Sequence, residues 1–461
     1  MRKFVVFLVF IFSFSLHGFA ANNSLVVIQQ IYISGNKITR DYIIYRELVF
    51  KTGDTLSVSD LEIKLQQSSE NLMNISLFNF VSIRHEVSGN KASIYIQLTE
   101  RWYIWPIPHF DLADRNFNTW WKTQDFKRIN YGVDLFVYNF RGRNETLEFL
   151  LSLGYDEKYG LAYKIPALNK KQTLGLILSS NYTRNHEVAV QTLHNKIVFY
   201  KDPLYYPKQS LTVAAGVSYR RNIHHSHIFQ LGYEQYRFAD TLLSLNPEYS
   251  NQKKLTSAYF TFYYQYKNDY RSYKPYPLEG HYFDVELSRS GLGILKDENP
   301  GFFSLKSTYR KFWKLSSRLY EAIGFTASLT PDFPYFVQNG LGFGRDFARG
   351  YEYYVISGQG FGLLKTNFKY ALLPQKVKKI SFIKTEKFNT IPYSFYMNLF
   401  LDAAYVYNQK TDIYNTLTND LLLGTGIGID FVTYYDKVLR VEYSFNRKGE
   451  SGLFIHFMAA I

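Results

Sequence analysis

The sequence predicts a membrane β-protein: a small N-terminal α+β domain followed by a 16-stranded antiparallel transmembrane β-barrel. Three observations support this fold class: an apparent export signal at the N-terminus, an excess of aromatic residues, and alternating segments of about ten residues along the rest of the chain. Aromatic residues make up 18% of the 461 residues, whereas the hydrophobic total of 46% is ordinary. Such an excess is typical of the aromatic girdles of a transmembrane barrel.

Residues 1–20 have the features of a secretory signal peptide. Met1-Arg2-Lys3 is charged, Phe4–Leu16 is apolar, and small residues in Gly18-Phe19-Ala20 precede a predicted cleavage before Ala21. Beyond this point the sequence has no further run of about 18 uncharged apolar residues, so no transmembrane helix is expected. We therefore predict the bacterial cell outer membrane as the location, with the N-terminal domain in the periplasm.

Composition and motifs argue against several other classes of function. The chain has no Cys, which excludes disulfides and thiolate metal sites. The formal net charge of +14 predicts a basic rim against anionic lipid headgroups, because no nucleic-acid-binding motif accompanies it. No catalytic triad pattern appears, so we expect neither an enzyme nor a cofactor. His224, His225 and His227 lie in a short turn without a carboxylate, and we interpret them as a periplasmic turn with no metal.

Residues 21–101 predict one small domain with the order strand, helix, helix, strand, strand. Leu25–Ile33 alternates as a strand, and Thr39 and Ser57 or Ser59 are candidate helix caps. Phe80–Val87 and Ala92–Thr99 then predict a hairpin. The segment is long enough for one small hydrophobic core.

Residues 102–461 predict the barrel, because alternating segments recur at the length that a tilted transmembrane strand needs. The sixteen candidate strands are Tyr103–Leu112, Tyr131–Phe140, Thr146–Tyr155, Tyr159–Pro166, Thr173–Tyr182, Leu211–Tyr219, Ile228–Tyr236, Ala258–Tyr266, Tyr282–Ser290, Phe303–Phe312, Leu319–Leu329, Phe361–Leu372, Phe395–Tyr405, Leu422–Phe431, Leu439–Phe445 and Gly452–Ala459. Glu187–Asp202 is assigned to a loop, since an even strand count is expected. Residues 331–360 form the longest loop.

The first barrel strand contains two prolines that predict a weak seam. Pro106 and Pro108 lie two residues apart, so both missing N–H donors face the same neighbouring strand. If that edge faces the last strand, which begins at Gly452, barrel closure is weakened there. In the alternative interpretation, the prolines belong to a linker that leaves the N-terminal domain.

Several short pieces, in matching order along the chain, resemble the superfamily of outer-membrane insertases and translocases that includes BamA, TamA and FhaC. Pieces that resemble a POTRA domain are Gly35–Thr39, Gly53-Asp54, Leu77-Phe78 and Thr99–Arg101. Pieces that resemble the BamA-like barrel are Asn139–Arg143, Lys164–Pro166, Tyr276–Gly280, Ala348–Tyr351, Phe400–Asp402, Gly424–Gly428 and Leu439–Tyr443. The resemblance covers essentially the whole mature chain.

The resemblance implies a loop lock inside the barrel. Arg349 in the Arg349-Gly350-Tyr351 signature would fold into the lumen and pair with Asp402, while Gly350 would allow a close backbone approach. The chain departs from the family pattern in two places: Asn367-Phe368-Lys369-Tyr370 stands where a Glu is common, and Ala404 where a glycine is expected. Arg345 and Asp346 are candidates for an auxiliary network.

The resemblance also implies a function: the protein assists insertion or translocation of other proteins. Its POTRA edge would dock extended clients by strand addition; alternatively, the domain is only a plug or spacer. Expected partners are unfolded or extended client proteins, the lipid bilayer and other outer-membrane assembly subunits, without nucleic acid. Two other functions remain open: a two-partner-secretion-like exporter of one specific protein, and a passive pore or structural subunit of an envelope complex.

Overall fold

The computed structural model describes residues 25–112, 129–250, 253–296, 298, 301–409 and 413–457. The predicted signal peptide, residues 1–20, lies outside the described residues, as does Ala459 at the end of the predicted last strand. No helix in the described part of the chain is long and apolar enough to cross a membrane. The chain forms a small four-stranded sheet with two helices, followed by a 16-stranded sheet.

The N-terminal domain has the predicted order of elements, with one short strand added. The elements are β1 (Leu25–Ser34), α1 (Asp41–Tyr45), β2 (Thr55–Ser57), α2 (Val58–Asn74), β3 (Phe78–Ser88) and β4 (Lys91–Glu100). The sheet order is β2-β1-β4-β3, with β1 and β4 parallel. Ser57 caps α2 by accepting a hydrogen bond from the backbone N of Asp60 at 3.0 Å. In this sheet order β3 is an edge strand, paired only with β4 among the described residues.

All sixteen predicted barrel strands are present in one antiparallel sheet. They are β5 (Ile104–Leu112), β6 (Ile129–Phe140), β7 (Glu145–Gly154), β8 (Glu157–Ile165), β9 (Leu174–Asn185), β12 (Lys208–Arg220), β13 (His225–Phe238), β14 (Thr256–Asp269), β15 (Gly280–Ser290), β16 (Phe302–Lys314), β17 (Leu319–Leu329), β20 (Gly360–Lys379), β21 (Thr390–Tyr407), β22 (Leu421–Thr433), β23 (Lys437–Asn446) and β24 (Ser451–His456).

The remaining elements lie in the loops. They are the hairpin β10 (Glu187–Leu193) and β11 (Lys196–Lys201), α3 (Asp240–Leu245), a 3₁₀ turn (Tyr335–Val337), the short pair β18 (Gly340–Leu341) and β19 (Ile356–Ser357), and α4 (Glu386–Asn389). The hairpin stands outside the large sheet, so the assignment of residues 187–202 to a loop is confirmed.

Contacts across the sheet bring its two edges towards each other. The Trp105 ring lies 5.1 Å from the ring of Tyr435, and the Trp102 backbone N donates to Tyr435 Oη at 3.3 Å. Tyr435 lies in the turn between β22 and β23, so the start of β5 lies beside the last strands. No ladder between β5 and β24 is found in the described part of the chain.

Both seam prolines lie inside strand β5. The Tyr138 backbone N donates to the Tyr103 carbonyl at 2.8 Å, and the register continues through Trp105↔Phe136. Hydrogen-bonding positions alternate along an antiparallel ladder, so Trp105 and Ile107 face β6. The nitrogen atoms of Pro106 and Pro108 therefore point to the unpaired edge of β5. Gly452 lies on the opposite edge strand, β24.

The N-terminal domain is docked onto the turns at one end of the 16-stranded sheet. The contacts that span this interface include Arg220 to Glu47 (2.7 Å twice), Arg101 to Asp436 (2.6 and 2.9 Å), Asn139 to Thr39 (2.8 Å), Asn74 to the carbonyl of Arg271 (3.0 Å) and Asn79 to the carbonyl of Lys387 (2.9 Å). The barrel partners come from five turns or strand ends spaced around the sheet. The domain therefore lies across this end of the barrel.

The Arg101–Asp436 contact predicts how docking depends on pH. Burial alone would raise the pKa of Asp436, but the hydrogen bonds and charge of Arg101 hold that pKa below its ordinary value. A depressed folded-state pKa stabilises the docked state above the unfolded pKa of about 4 and loses this effect as pH falls further. We expect docking to be constant from pH 8 to 5 and to loosen only below about pH 4.

Hydrogen exchange of residues 98–104 in lipid nanodiscs measures this dependence. Asp436→Asn should already show faster exchange at pH 7 and should lose the acid-induced change. Wild-type loosening between pH 7 and 5 would contradict the assignment to Asp436.

Candidate functional site

The longest loop, residues 330–359, turns back inside the curled sheet. The paired strands β18 and β19 hold its base together. At its tip Ala348, Arg349 and Tyr351 are all buried, with Arg349 fully inaccessible at 0% exposure. The tip thus brings a cation into the interior, where an unpaired charge would be costly.

Arg349 is held by Asp402 in a two-pronged contact. Its backbone N and Nε donate to Asp402 Oδ2 at 3.0 and 2.9 Å, and its Nη2 donates to Oδ1 at 2.5 Å. The remaining donors reach Asn367 Oδ1 at 2.6 Å and the Thr366 carbonyl at 2.8 Å. The guanidinium lies 3.8 Å from the centre of the Phe400 ring. This combination of fork, amide and aromatic contacts is specific to arginine.

A second buried arginine adjoins the first. Arg440 donates from Nε and Nη2 to the two oxygens of Asp430 at 2.6 and 2.7 Å. Glu442 lies between the two arginines, with Oε1 at 3.4 Å from Arg349 Nη1 and 3.6 Å from Arg440 Nε. Tyr276 also donates to Asp430, at 2.7 Å. The loop tip is therefore part of a buried ionic cluster that extends over four strands, β20 to β23.

Strand periodicity and register explain why these residues meet. Side chains two residues apart share a face, so Phe400 and Asp402 on β21 point the same way, as do Arg440 and Glu442 on β23. The register places Asp430 directly opposite Arg440. Alternation thus puts the charged residues inside and the apolar residues towards lipid, where charge is costly.

Two glycines let the loop tip reach the wall. A Cβ at Gly424 of β22 would lie 1.7 Å from the Arg349 carbonyl oxygen, closer than atoms can approach. Gly350 has φ of +88°, and a Cβ there would lie 2.8 Å from the Phe445 carbonyl. The tip and the strand therefore meet backbone to backbone.

The other predicted site residues lie around this cluster rather than in it. Tyr351 is 3% exposed and packs in the apolar cluster that contains Leu422. Asp346 pairs with Lys306 of β16 at 2.5 Å, which ties the loop to a strand two places beyond β20 in the sheet. Arg345 has no ion pair among the described residues and lines a small cavity beside Arg310. Pro106, Pro108 and Gly452 are on the two edge strands.

Sequence reasoning missed most of the partners of Arg349 beyond Asp402. The common family Glu is absent from β20, and Asn367 together with Glu442 supplies acceptors instead. A signal was present in Leu439–Tyr443, where two charged residues alternate with apolar ones on a barrel strand. The described residues contain no group of three or more His, Cys, Asp or Glu side chains that could hold a metal ion.

A small α+β domain, a 16-stranded antiparallel sheet and a long loop bound inside it define the class of POTRA-bearing outer-membrane barrels. Comparison with family profiles agrees: residues 26–101 match the POTRA family (surface antigen variable number repeat), and residues 139–434 match the Omp85 superfamily domain. Because the second match covers more than half of the chain, the protein belongs to the Omp85 superfamily.

Solved structures of the same fold are distant in sequence. The chain is similar to BamA from Haemophilus ducreyi lacking POTRA domains 1-3, with a TM-score of 0.52 and 15% identity over 94% of this chain and 83% of that one. It is also similar to CdiB from Escherichia coli, with a TM-score of 0.53 and 12% identity over 93% and 75%. No curated protein sequence matches significantly. At these identities the likeness establishes the fold.

Arg349→Met tests the energetic weight of the lock. The substitution removes the two-pronged partner of the buried Asp402 carboxylate, and breaking a buried pair typically costs about 3–5 kcal/mol. We expect the barrel in lipid vesicles to unfold at a lower denaturant concentration, as measured by tryptophan fluorescence. Adding Asp402→Asn to the same protein should recover part of the loss, because a neutral amide tolerates the loss of the arginine better than a buried carboxylate does. An unchanged unfolding midpoint for Arg349→Met would rule out a stabilising role.

Gly424→Ala tests the close approach of the loop tip. The added methyl group would collide with a backbone oxygen, so we expect the tip to be displaced and the loop at residues 330–359 to become cleavable by protease in the folded barrel. Gly362→Ala is the matched control, because its Cβ would find nothing nearer than the Phe325 ring at 3.8 Å. Equal protection of both variants would contradict the close approach.

Proposed function

We propose that this protein assists the insertion of other proteins into the bacterial outer membrane or their translocation across it. Its N-terminal domain would face the periplasm and receive extended clients, and β5 and β24 would form a lateral seam. The observation that carries this proposal is the unpaired edge of β5, whose Pro106 and Pro108 offer no N–H donors.

The prolines lower the stability of any closed seam. A backbone hydrogen bond contributes about 0.5–1.5 kcal/mol net, so two missing donors weaken the pairing of β5 with the last strand. Other strand pairs of the sheet, such as β12 with β13, have long regular ladders instead. A barrel with one weak junction opens there first, and a client strand can then pair with an exposed edge.

The N-terminal domain also offers an edge. Strand β3 spans Phe78–Ser88 and pairs only with β4 among the described residues. Its exposed Arg84 and Glu86 discourage edge-to-edge association between copies of the protein, as charges on natural edges do. The backbone groups remain available for an extended client segment, which needs no particular sequence to pair with them.

The two ends of the barrel support a gated role over that of a passive pore. The N-terminal domain lies across one end, and the long loop is bound inside with its arginine fully buried. A permanently open channel would need neither the docked domain nor the bound loop. Work on a client would therefore require movement of the domain, of the loop or of the seam.

The lumen gives one reason to retain export of a specific protein as a second function. Two cavities of about 370 and 460 Å³ lie between the long loop and the barrel wall. Both are lined mainly by polar side chains and tyrosines, including Tyr263 and Ser288, which they share. Withdrawal of the loop would join them into a polar passage.

Depletion of the protein in its own bacterium separates these functions. We expect quantitative envelope proteomics to show lower levels of many outer-membrane proteins, because insertion serves many clients. Loss of a single secreted protein would favour export instead. Unchanged levels of both groups would overturn the proposal and leave a structural role.

Restoring the donors at the seam tests the mechanism directly. Pro106→Val combined with Pro108→Val should strengthen closure and slow the folding of a urea-denatured eight-stranded barrel protein into proteoliposomes by about tenfold. Pro374→Val is the control, because Pro374 is an exposed residue in an irregular part of the β20–β21 ladder, and β20 is not one of the two edge strands. An unchanged insertion rate in the double variant would contradict a role for the β5 edge.

A further inference from the structure

The barrel wall beside the loop tip contains a second basic side chain, Lys365, which is aligned with Asp402 but does not pair with it. Lys365 of β20 is directly opposite Asp402 of β21 in the ladder. Opposite residues in an antiparallel pair have Cβ atoms about 4.5–5.5 Å apart, well within the reach of a lysine. Yet no carboxylate of the described residues lies within 4.0 Å of the Lys365 ammonium.

The loop itself accounts for this arrangement. Both oxygens of Asp402 are occupied by Arg349. The Lys365 ammonium lies instead over the ring of Phe347, 4.3 Å from its centre. Phe347 belongs to the same loop and precedes Arg349 by two residues. Arg349 of the loop therefore pairs with the Asp402 carboxylate, while Phe347 of the same loop covers the Lys365 ammonium.

From this geometry we propose that Lys365 is a positioning residue that replaces Arg349 as the counter-ion of Asp402 when the loop withdraws. Withdrawal of the tip removes Arg349 and Phe347 together, so the carboxylate loses its partner as the lysine is freed. Lys365 also lines a cavity of about 30 Å³, which leaves its end room to move. This inference rests on the loop movement in the proposed function.

The exchange matters because a bare carboxylate at this position would hold the loop shut. Breaking a buried pair by removing one partner is strongly unfavourable, whereas exchanging one cation for another is not. A lysine forms a weaker, single-point contact than the fork of an arginine. The bound position of the loop is therefore lower in free energy, while the withdrawn position can still be populated.

A single cysteine reports the exposure of the loop tip, because the natural chain has none. The reporter protein carries Ala348→Cys, a buried position next to Arg349, in lipid nanodiscs with a water-soluble maleimide. Labelling should be fast in Arg349→Met and slow in the reporter protein itself. Absence of labelling in Arg349→Met would remove the loop movement, and with it this inference.

The decisive comparison is Lys365→Met against Lys365→Arg. Methionine keeps the apolar contact with Phe347 but cannot pair with Asp402, so labelling should slow by about tenfold or more. Arginine keeps the charge and should label within about threefold of the reporter protein. Equal rates for Lys365→Met and the reporter protein would overturn the proposal.

Two further variants separate this role from general electrostatics. Lys369→Met is the matched control, because Lys369 is also buried on β20 but is opposite Asn398 instead of a carboxylate. The labelling rate of Lys369→Met should lie within about twofold of that of the reporter protein. In an Asp402→Asn background the effect of Lys365→Met should disappear. A slow rate in Lys369→Met, or a persistent effect without Asp402, would show that Lys365 does not act through this carboxylate.

The labelling assay is independent of client transport. Failure of the cation exchange would leave the insertion assay with the proline variants unaffected. Conversely, an unchanged insertion rate in those variants would leave the labelling result intact.

Discussion

The interior of this barrel depends on the contact between Arg349 and Asp402. Both side chains are fully buried, so the pairing of the two charges offsets much of the cost of burying each. The surrounding residues follow from that requirement: Asn367 and the Thr366 carbonyl satisfy the remaining donors, and Phe400 covers the guanidinium. Gly424 is small because the loop backbone occupies the space that a side chain would fill.

Glu442 connects this contact to the last strands of the sheet. It lies within ion-pair distance of both buried arginines, and His456 of the edge strand β24 is 3.7 Å from its other oxygen. The loop tip, β23 and β24 therefore share one polar cluster. Glu442 thus lies next to both the loop arginine and a residue of the edge strand.

Alternation was enough to predict the sixteen strands, because the lipid and the lumen impose opposite polarity on successive residues. The even strand count expected of a single-chain barrel then placed residues 187–202 in a loop. The pairing of Arg349 with Asp402 came only from the family resemblance. Neither source predicted Asn367, Arg440 or Glu442 as neighbours of the loop. Which inward residues meet is decided by the register between strands, and a single sequence with no alignment carries little information on register.

Three arginine–carboxylate pairs hold the closed form, and they differ in exposure. The two domain-docking pairs are partly exposed: Arg220 and Glu47 are 22% and 2% exposed, and Arg101 and Asp436 are 8% and 23%, whereas Arg349 and Asp402 are both at 0%. Water and salt reach one member of each docking pair and screen it, whereas breaking a fully buried pair costs about 3–5 kcal/mol. Undocking of the N-terminal domain is therefore the easier step, and release of the loop is the step that needs a replacement partner for the carboxylate.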